Sequence, residues 1–160
     1  MHTKPAEVSF LRRPAAPLVL LAALFVAVSG FIHVQQWLQI YSKVPVSVPG
    51  SVVVRVGFLV NAAASMVLAS SLVVTMFKWR HLAPFAVAAA LAFEASALAV
   101  LIVSRVGNVF GWMESGWTNG ANLTRAAEIG AMATLGLVAA VTTVLRDSRS
   151  PEAAPALVPR

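Results

Sequence analysis

The run LAPFAVAAALAFEASALAVLIV, from Leu82 to Val103, holds one charged side chain, Glu94, in 22 residues. A helix of roughly 20 predominantly apolar residues crosses a hydrocarbon core, so this run predicts a membrane span with a carboxyl group near its middle. Three further runs share its character, from Pro17 to Trp37, Val53 to Phe77 and Ala121 to Leu145. The chain as a whole is 59% hydrophobic and 11% charged, against about a quarter charged in a soluble domain. The expected fold is therefore all-α, a four-helix transmembrane bundle over residues 17–146. A tail at residues 1–16 and another at 147–160 are rich in Pro, Ala, Ser and charge, without a patterned apolar face. No segment is left over for a soluble catalytic domain.

The formal charge of +6 does not point to nucleic acid, because no soluble basic face exists to carry it. Its distribution speaks to orientation instead. Lys4, Arg12, Arg13, Lys78, Arg80, Arg146, Arg149 and Arg160 fall on one side of the four spans, and Lys43, Arg55, Arg105 and Arg125 on the other. The excess of basic residues on the first side predicts that both termini are cytoplasmic, in a multi-pass protein of the plasma membrane, here a bacterial cytoplasmic membrane. Trp37, Tyr41, Trp112 and Trp117 then gather at the outer interface and Trp79 at the inner one, as an aromatic belt requires.

The connections divide by length. Lys78 to His81 is so short that the second and third spans must form an antiparallel hairpin, with Pro84 in the first turn of the third, where proline is tolerated. Val44-Pro45-Val46-Ser47-Val48-Pro49-Gly50 alternates valine and carries two prolines, which predicts an extended strip along the outer surface. Gly107 to Gly120 contains four glycines with Trp112, Glu114 and Trp117, a composition for an irregular interfacial segment. No internal repeat indicates an inverted-repeat transporter. Arg12-Arg13 ahead of an apolar stretch ending in Val28-Ser29-Gly30 has some likeness to a secretory signal, but the span continues past it, and retention as a first helix is expected.

The absence of cysteine excludes disulfides, thiol nucleophiles, iron–sulfur clusters and cysteine zinc sites. His33 is the single histidine in the outer half, so bis-histidine haem ligation within the chain is excluded, and neither a metal nor a cofactor is expected. Asn122-Leu123-Thr124 matches a glycosylation sequon, yet at the mouth of a helix Asn122 is expected as a cap. Ala62, Ser65 and Ala69, and Gly130, Thr134 and Gly136, are small residues suited to close helix packing.

The candidate site consists of ionisable and amide side chains inside the spans. Ser29, His33 and Gln36 share a face of the first helix. Asn61 lies a turn or two deeper than Arg55 on the second. Glu94 and Arg105 share a face of the third, separated by about 16 Å, too far to pair. On the fourth, Asn122, Arg125 and Glu128 step by three, which places Arg125 and Glu128 within reach of an intrahelical ion pair. Exposure of so many polar groups to lipid is prohibitive, so His33, Arg55, Asn61, Glu94, Arg105, Arg125 and Glu128 are expected to turn inward around a polar centre open to the outside. Glu94, without a basic residue within two turns on its own helix, needs His33, Arg55 or another partner across the bundle, or stays protonated. Three readings stand side by side: a structural ion-pair network, a site whose surplus arginine receives an anionic small ligand or lipid phosphate, and a path for protons or ions.

Gly30-Phe31-Ile32-His33, Val103-Ser104-Arg105-Val106-Gly107 running on to Gly111, and Glu128 early in the fourth span together give a chain that resembles a group of small four-helix membrane proteins of actinobacteria, for which no activity is assigned. The resemblance covers nearly the whole membrane portion and implies that His33, Arg105 and Glu128 belong to one site. The sequence departs from that pattern at Gln35-Gln36-Trp37, in place of a Pro-Glu-His type continuation, and at Asn108-Val109-Phe110, in place of a proline-containing turn.

The functional expectation is a non-enzymatic accessory protein, binding lipid or a small ligand in an outward-facing pocket, with a membrane-protein partner or a second copy as further candidates. One alternative is a proton-coupled carrier using Glu94 and His33. Another is a membrane enzyme with Glu128 or His33 as general base on a lipid substrate.

Overall fold

The computed structural model of the chain describes residues 15–147 apart from residue 115. It is all-helical. Among the described residues, four long helices, α1 (Ala16–Gln39), α2 (Ser51–Phe77), α3 (Ala83–Val106) and α4 (Asn119–Asp147), are each long and apolar enough to cross a membrane. Their boundaries lie within a few residues of those read from hydropathy. The expected tails at 1–16 and 147–160 fall almost wholly outside the described residues.

Local chemistry accounts for where the helices begin and end. Pro17 and Pro84 stand in the first turns of α1 and α3, where the missing N–H has no carbonyl to serve. α1 closes when the Ile40 N–H bonds the Gln36 carbonyl, and a 3-10 turn over Tyr41–Lys43 follows. α2 passes into α3 through Lys78, Trp79 and a second 3-10 turn, Arg80–Leu82, which confirms the tight antiparallel hairpin. Thr118 caps α4, its Oγ1 accepting the Ala121 N–H at 3.2 Å. The cap expected at Asn122 is therefore displaced by one turn, because α4 starts at Asn119 and Asn122 already belongs to it.

The strip expected at 44–50 is not extended. Val48 N–H bonds the Pro45 carbonyl and Ser51 N–H the Val48 carbonyl, so the chain advances in successive turns. Pro45 and Pro49 preset φ for turning, and Gly50, at φ +75°, completes the reversal that launches α2. The longer connection carries a two-residue hairpin: Val109 and Trp112 exchange both backbone hydrogen bonds around Phe110 and Gly111, which both have positive φ. The two connections pack on each other. A Cβ on Gly50 would lie 2.6 Å from the Trp112 nitrogen, so only glycine fits there.

The helices run up, down, up and down, each beside the next, with α4 returning against α1. α1 packs closely on α2 and α4, and the α2–α3 seam is the loosest. Small residues set the tight contacts: a Cβ on Gly30 would fall 2.7 Å from the Ser65 Cβ, and Ala62, Ser65 and Ala69 are buried, as expected for a close helix crossing. Gly130 takes the Phe25 ring in the same way, whereas Gly136 has open space around it.

The interior is divided along the bundle axis. The end with the termini and the short hairpin is filled by Val19, Val26, Leu72, Met76, Val87, Leu135 and Val138 among alanines. Nearer the two long connections, which mark the loop end, the buried side chains are Ser29, His33, Gln36, Glu94, Thr124 and Glu128. Large apolar side chains such as Leu24, Phe31, Val67, Phe85 and Val106 point outward, the pattern of a bundle surrounded by hydrocarbon.

Candidate functional site: a cleft at the loop end

Where α2 and α3 part toward the loop end, they leave a cleft of ≈ 360 Å³. Its walls are apolar, from Val54, Phe58, Phe93, Val100 and Leu101, and Gly57 leaves the α2 wall open because it has no side chain. His33 and Asn61 border it on one side and the Tyr41, Arg105, Trp112 and Glu114 cluster on another.

That cluster is a clasp around Glu114. Its carboxylate accepts from Arg105 Nη1 at 2.9 Å, from Trp112 Nε1 at 3.1 Å and from the Tyr41 hydroxyl. Arg105 Nη1 also donates to the Gly116 carbonyl at 2.8 Å, and the Glu114 N–H to the Ser104 carbonyl at 2.9 Å. The Arg105 side chain is 4% exposed, so the guanidinium charge is held by its partners and not by water. Tyr41 stacks on Phe58 at 4.0 Å between ring centroids, and His33 tilts against the same ring at 5.2 Å. The clasp thus ties α1, α2, α3 and the longer connection together at the cleft mouth.

His33 donates from Nδ1 to the Ser29 carbonyl at 2.8 Å. A carbonyl only accepts, so Nδ1 carries the proton, and in the neutral ring Nε2 is left as an acceptor. On α2, Ser65 Oγ donates to Asn61 Oδ1 at 3.3 Å, which leaves the Asn61 NH₂ without a partner among the described residues. Gly30 faces Ala62 and Ser65, so one turn toward the loop end His33 and Asn61 come level with each other.

The other candidates separate from this group. Arg125 is exposed and lies over the Trp117 ring, 4.6 Å from its centroid. The expected pair between Arg125 and Glu128 does not form: among the described residues the one ion pair is Arg105 with Glu114. An indole face beside the guanidinium offers a cation–π contact that costs no burial. Arg55 is half-buried on α2 and makes no hydrogen bond among the described residues. Glu94 and Glu128 are fully buried, and neither carboxyl group has a hydrogen-bond partner there. Both belong to the buried polar side chains of the bundle. Ser29 Oγ, also fully buried, is unpartnered as well. Gln36 Nε2 donates to Thr124 Oγ1 at 2.9 Å and links α1 to α4 one turn nearer the loop end. His33 and Arg105 therefore share one cleft, while Glu128 sits in the interior with Glu94.

Glu114 and Tyr41 were not among the candidates drawn from the sequence, nor was Thr124. One signal for Glu114 was present: it is the sole acidic residue of the loop-end connections, set among Arg55, Arg105 and Arg125. Among the described residues, no three His, Asp or Glu side chains come together to hold a metal ion. Compared with protein-family models, curated proteins and solved structures, the chain matches none.

Proposed function

We propose that the chain is a multi-pass protein of a bacterial cytoplasmic membrane, both termini cytoplasmic, that binds a lipid or lipid-like small molecule in the cleft between α2 and α3. It serves as an accessory component, not as an enzyme. The observation that carries this reading is the cleft itself: ≈ 360 Å³, apolar along its walls, with its hydrogen-bonding groups confined to a few positions. Ligand sites have that composition, apolar surface for affinity and a few polar groups for orientation. The loose α2–α3 seam supports it, since a chain-like molecule can enter sideways from hydrocarbon. The resemblance to the small actinobacterial membrane proteins implies one site of His33, Arg105 and Glu128; His33 and Arg105 border the cleft, and Glu128 does not.

The test uses Gly57, where an added Cβ meets nothing within 4 Å. Gly57→Phe directs a ring into the cleft from a position with room for its Cβ and removes a helix-weakening glycine. Native mass spectrometry after gentle extraction is expected to show a retained lipid-sized mass on the wild type and its loss from the variant at unchanged thermal stability. Equal retention by both proteins sinks the proposal.

A second reading is favoured by one distinct observation, the unpartnered carboxyl groups of Glu94 and Glu128. A buried carboxyl without a hydrogen-bond partner does not ionise cheaply, so Glu94 and Glu128 are suited to taking up and releasing a proton, as a proton-coupled translocator requires. On this reading Glu94→Gln abolishes proton flux into proteoliposomes while the protein stays folded. Undiminished flux rejects it.

A further inference from the structure

From the hydrogen-bonding polarity of the cleft we infer the class of molecule it takes: an uncharged amphiphile whose polar group is a hydroxyl, an alcohol or a phenol on an apolar body. The inference rests on the reading of the cleft as a ligand site and adds what the ligand must present. His33 and Asn61 stand level on adjacent helices and border the same cleft. With Nδ1 committed to the Ser29 carbonyl, the neutral His33 ring offers only an acceptor, Nε2. Asn61 Oδ1 already accepts from Ser65, and its NH₂ is the group left without a partner among the described residues, so Asn61 presents a donor to the cleft. One group satisfies both at once by donating to the first and accepting from the second, and a hydroxyl does so. An ether or ketone accepts but cannot donate, leaving Nε2 unmet in an apolar setting.

Charge points the same way. The charged side chains that line the cleft are Arg105 and Glu114, and they neutralise each other at 2.9 Å. Arg125 is turned to Trp117, and Arg55 does not line the cleft. Arg105 keeps one N–H, Nε, without a partner among the described residues, but its charge is already balanced by Glu114, so a carboxylate or phosphate entering the cleft would bring an uncompensated charge beside the unprotonated Nε2. The cleft therefore selects against the anionic form of the same apolar body.

Trp112 borders the cleft, so binding can be read by quenching of tryptophan fluorescence in nanodiscs with three brominated probes of one chain length. These are dibromostearyl alcohol, its methyl ether and dibromostearate, and the Gly57→Phe protein supplies the background for probe in the surrounding lipid. The alcohol is expected to quench saturably above that background, and the ether to need about tenfold more, the worth of one buried hydrogen bond. Dibromostearate is expected to stay at background. Asn61→Leu and His33→Phe should each weaken the alcohol by about tenfold and narrow its advantage over the ether. Alcohol and ether binding equally to the wild type overturns the hydroxyl, with the cleft itself retained as a site. Dibromostearate binding best overturns the neutrality. If no probe exceeds the filled-cleft background, the cleft reading fails and this inference with it. The comparison within the wild type decides the matter even where a variant does not fold.

Discussion

At the level of single residues, Glu114 does more than its place in a glycine-rich connection suggests. It compensates Arg105, whose side chain is 4% exposed, and accepts from Tyr41 and Trp112 at the mouth of the cleft. Removing one member of a buried ion pair strands the other, at a cost of about 3 kcal/mol or more. Glu114→Ala is accordingly expected to lower stability by about that amount in denaturant unfolding. Arg105→Met in the same chain should recover part of it, since the stranded guanidinium charge is then gone, while the Tyr41 and Trp112 donors stay without their acceptor. Unfolding of Glu114→Ala at the wild-type midpoint would contradict the clasp. Little of this was legible in the sequence. The burial of Glu94 and Glu128 was, because each sits inside a long and predominantly apolar run. The partners were not. Arg125 could turn to Glu128 on its own helix or to Trp117 in the preceding connection, and helical spacing states the first option while saying nothing of the second. Glu114 reaches Arg105 only through the particular path of the connection between them.

Among the helices, hydropathy located all four that are long and apolar enough to cross a membrane, since length and apolarity are properties of contiguous residues. The connection at 44–50 shows where pattern alone misleads: alternating valines fit a strand, but Pro45, Pro49 and the left-handed Gly50 bend the chain at each opportunity, and no neighbouring strand exists to pair with it. Helix contact follows small residues as expected, with one distinction that spacing does not reveal. Gly30 is pressed against Ser65, while Gly136 faces open space. Gly30→Val should therefore force α1 from α2 and cost about 1 to 3 kcal/mol, whereas Gly136→Ala should leave the unfolding temperature unchanged or slightly raised. A melting series in one detergent checks both. Equal behaviour of the two variants would show that the α1–α2 crossing is not set by Gly30.

For the whole molecule, the partition of the interior is the organising feature. An apolar half holds the helices together, and a polar half beneath the two connections carries the cleft and the buried carboxyls. The proposed orientation places that polar half toward the outside. Fusion reporters at Pro45, Arg80, Ser115 and Pro155 should give an external signal from the first and third and a cytoplasmic one from the second and fourth. An external signal from Arg80 or Pro155 would reverse the topology. The space between α2 and α3 is the proposed binding site. A density map of the full chain, purified with its native lipid, tests it most directly. Elongated density is expected in the cleft along Phe58, Phe93 and Leu101, with its polar end between His33 and Asn61. A cleft closed by α3 moving against α2, or lipid density confined to the outer faces of the helices, would contradict it.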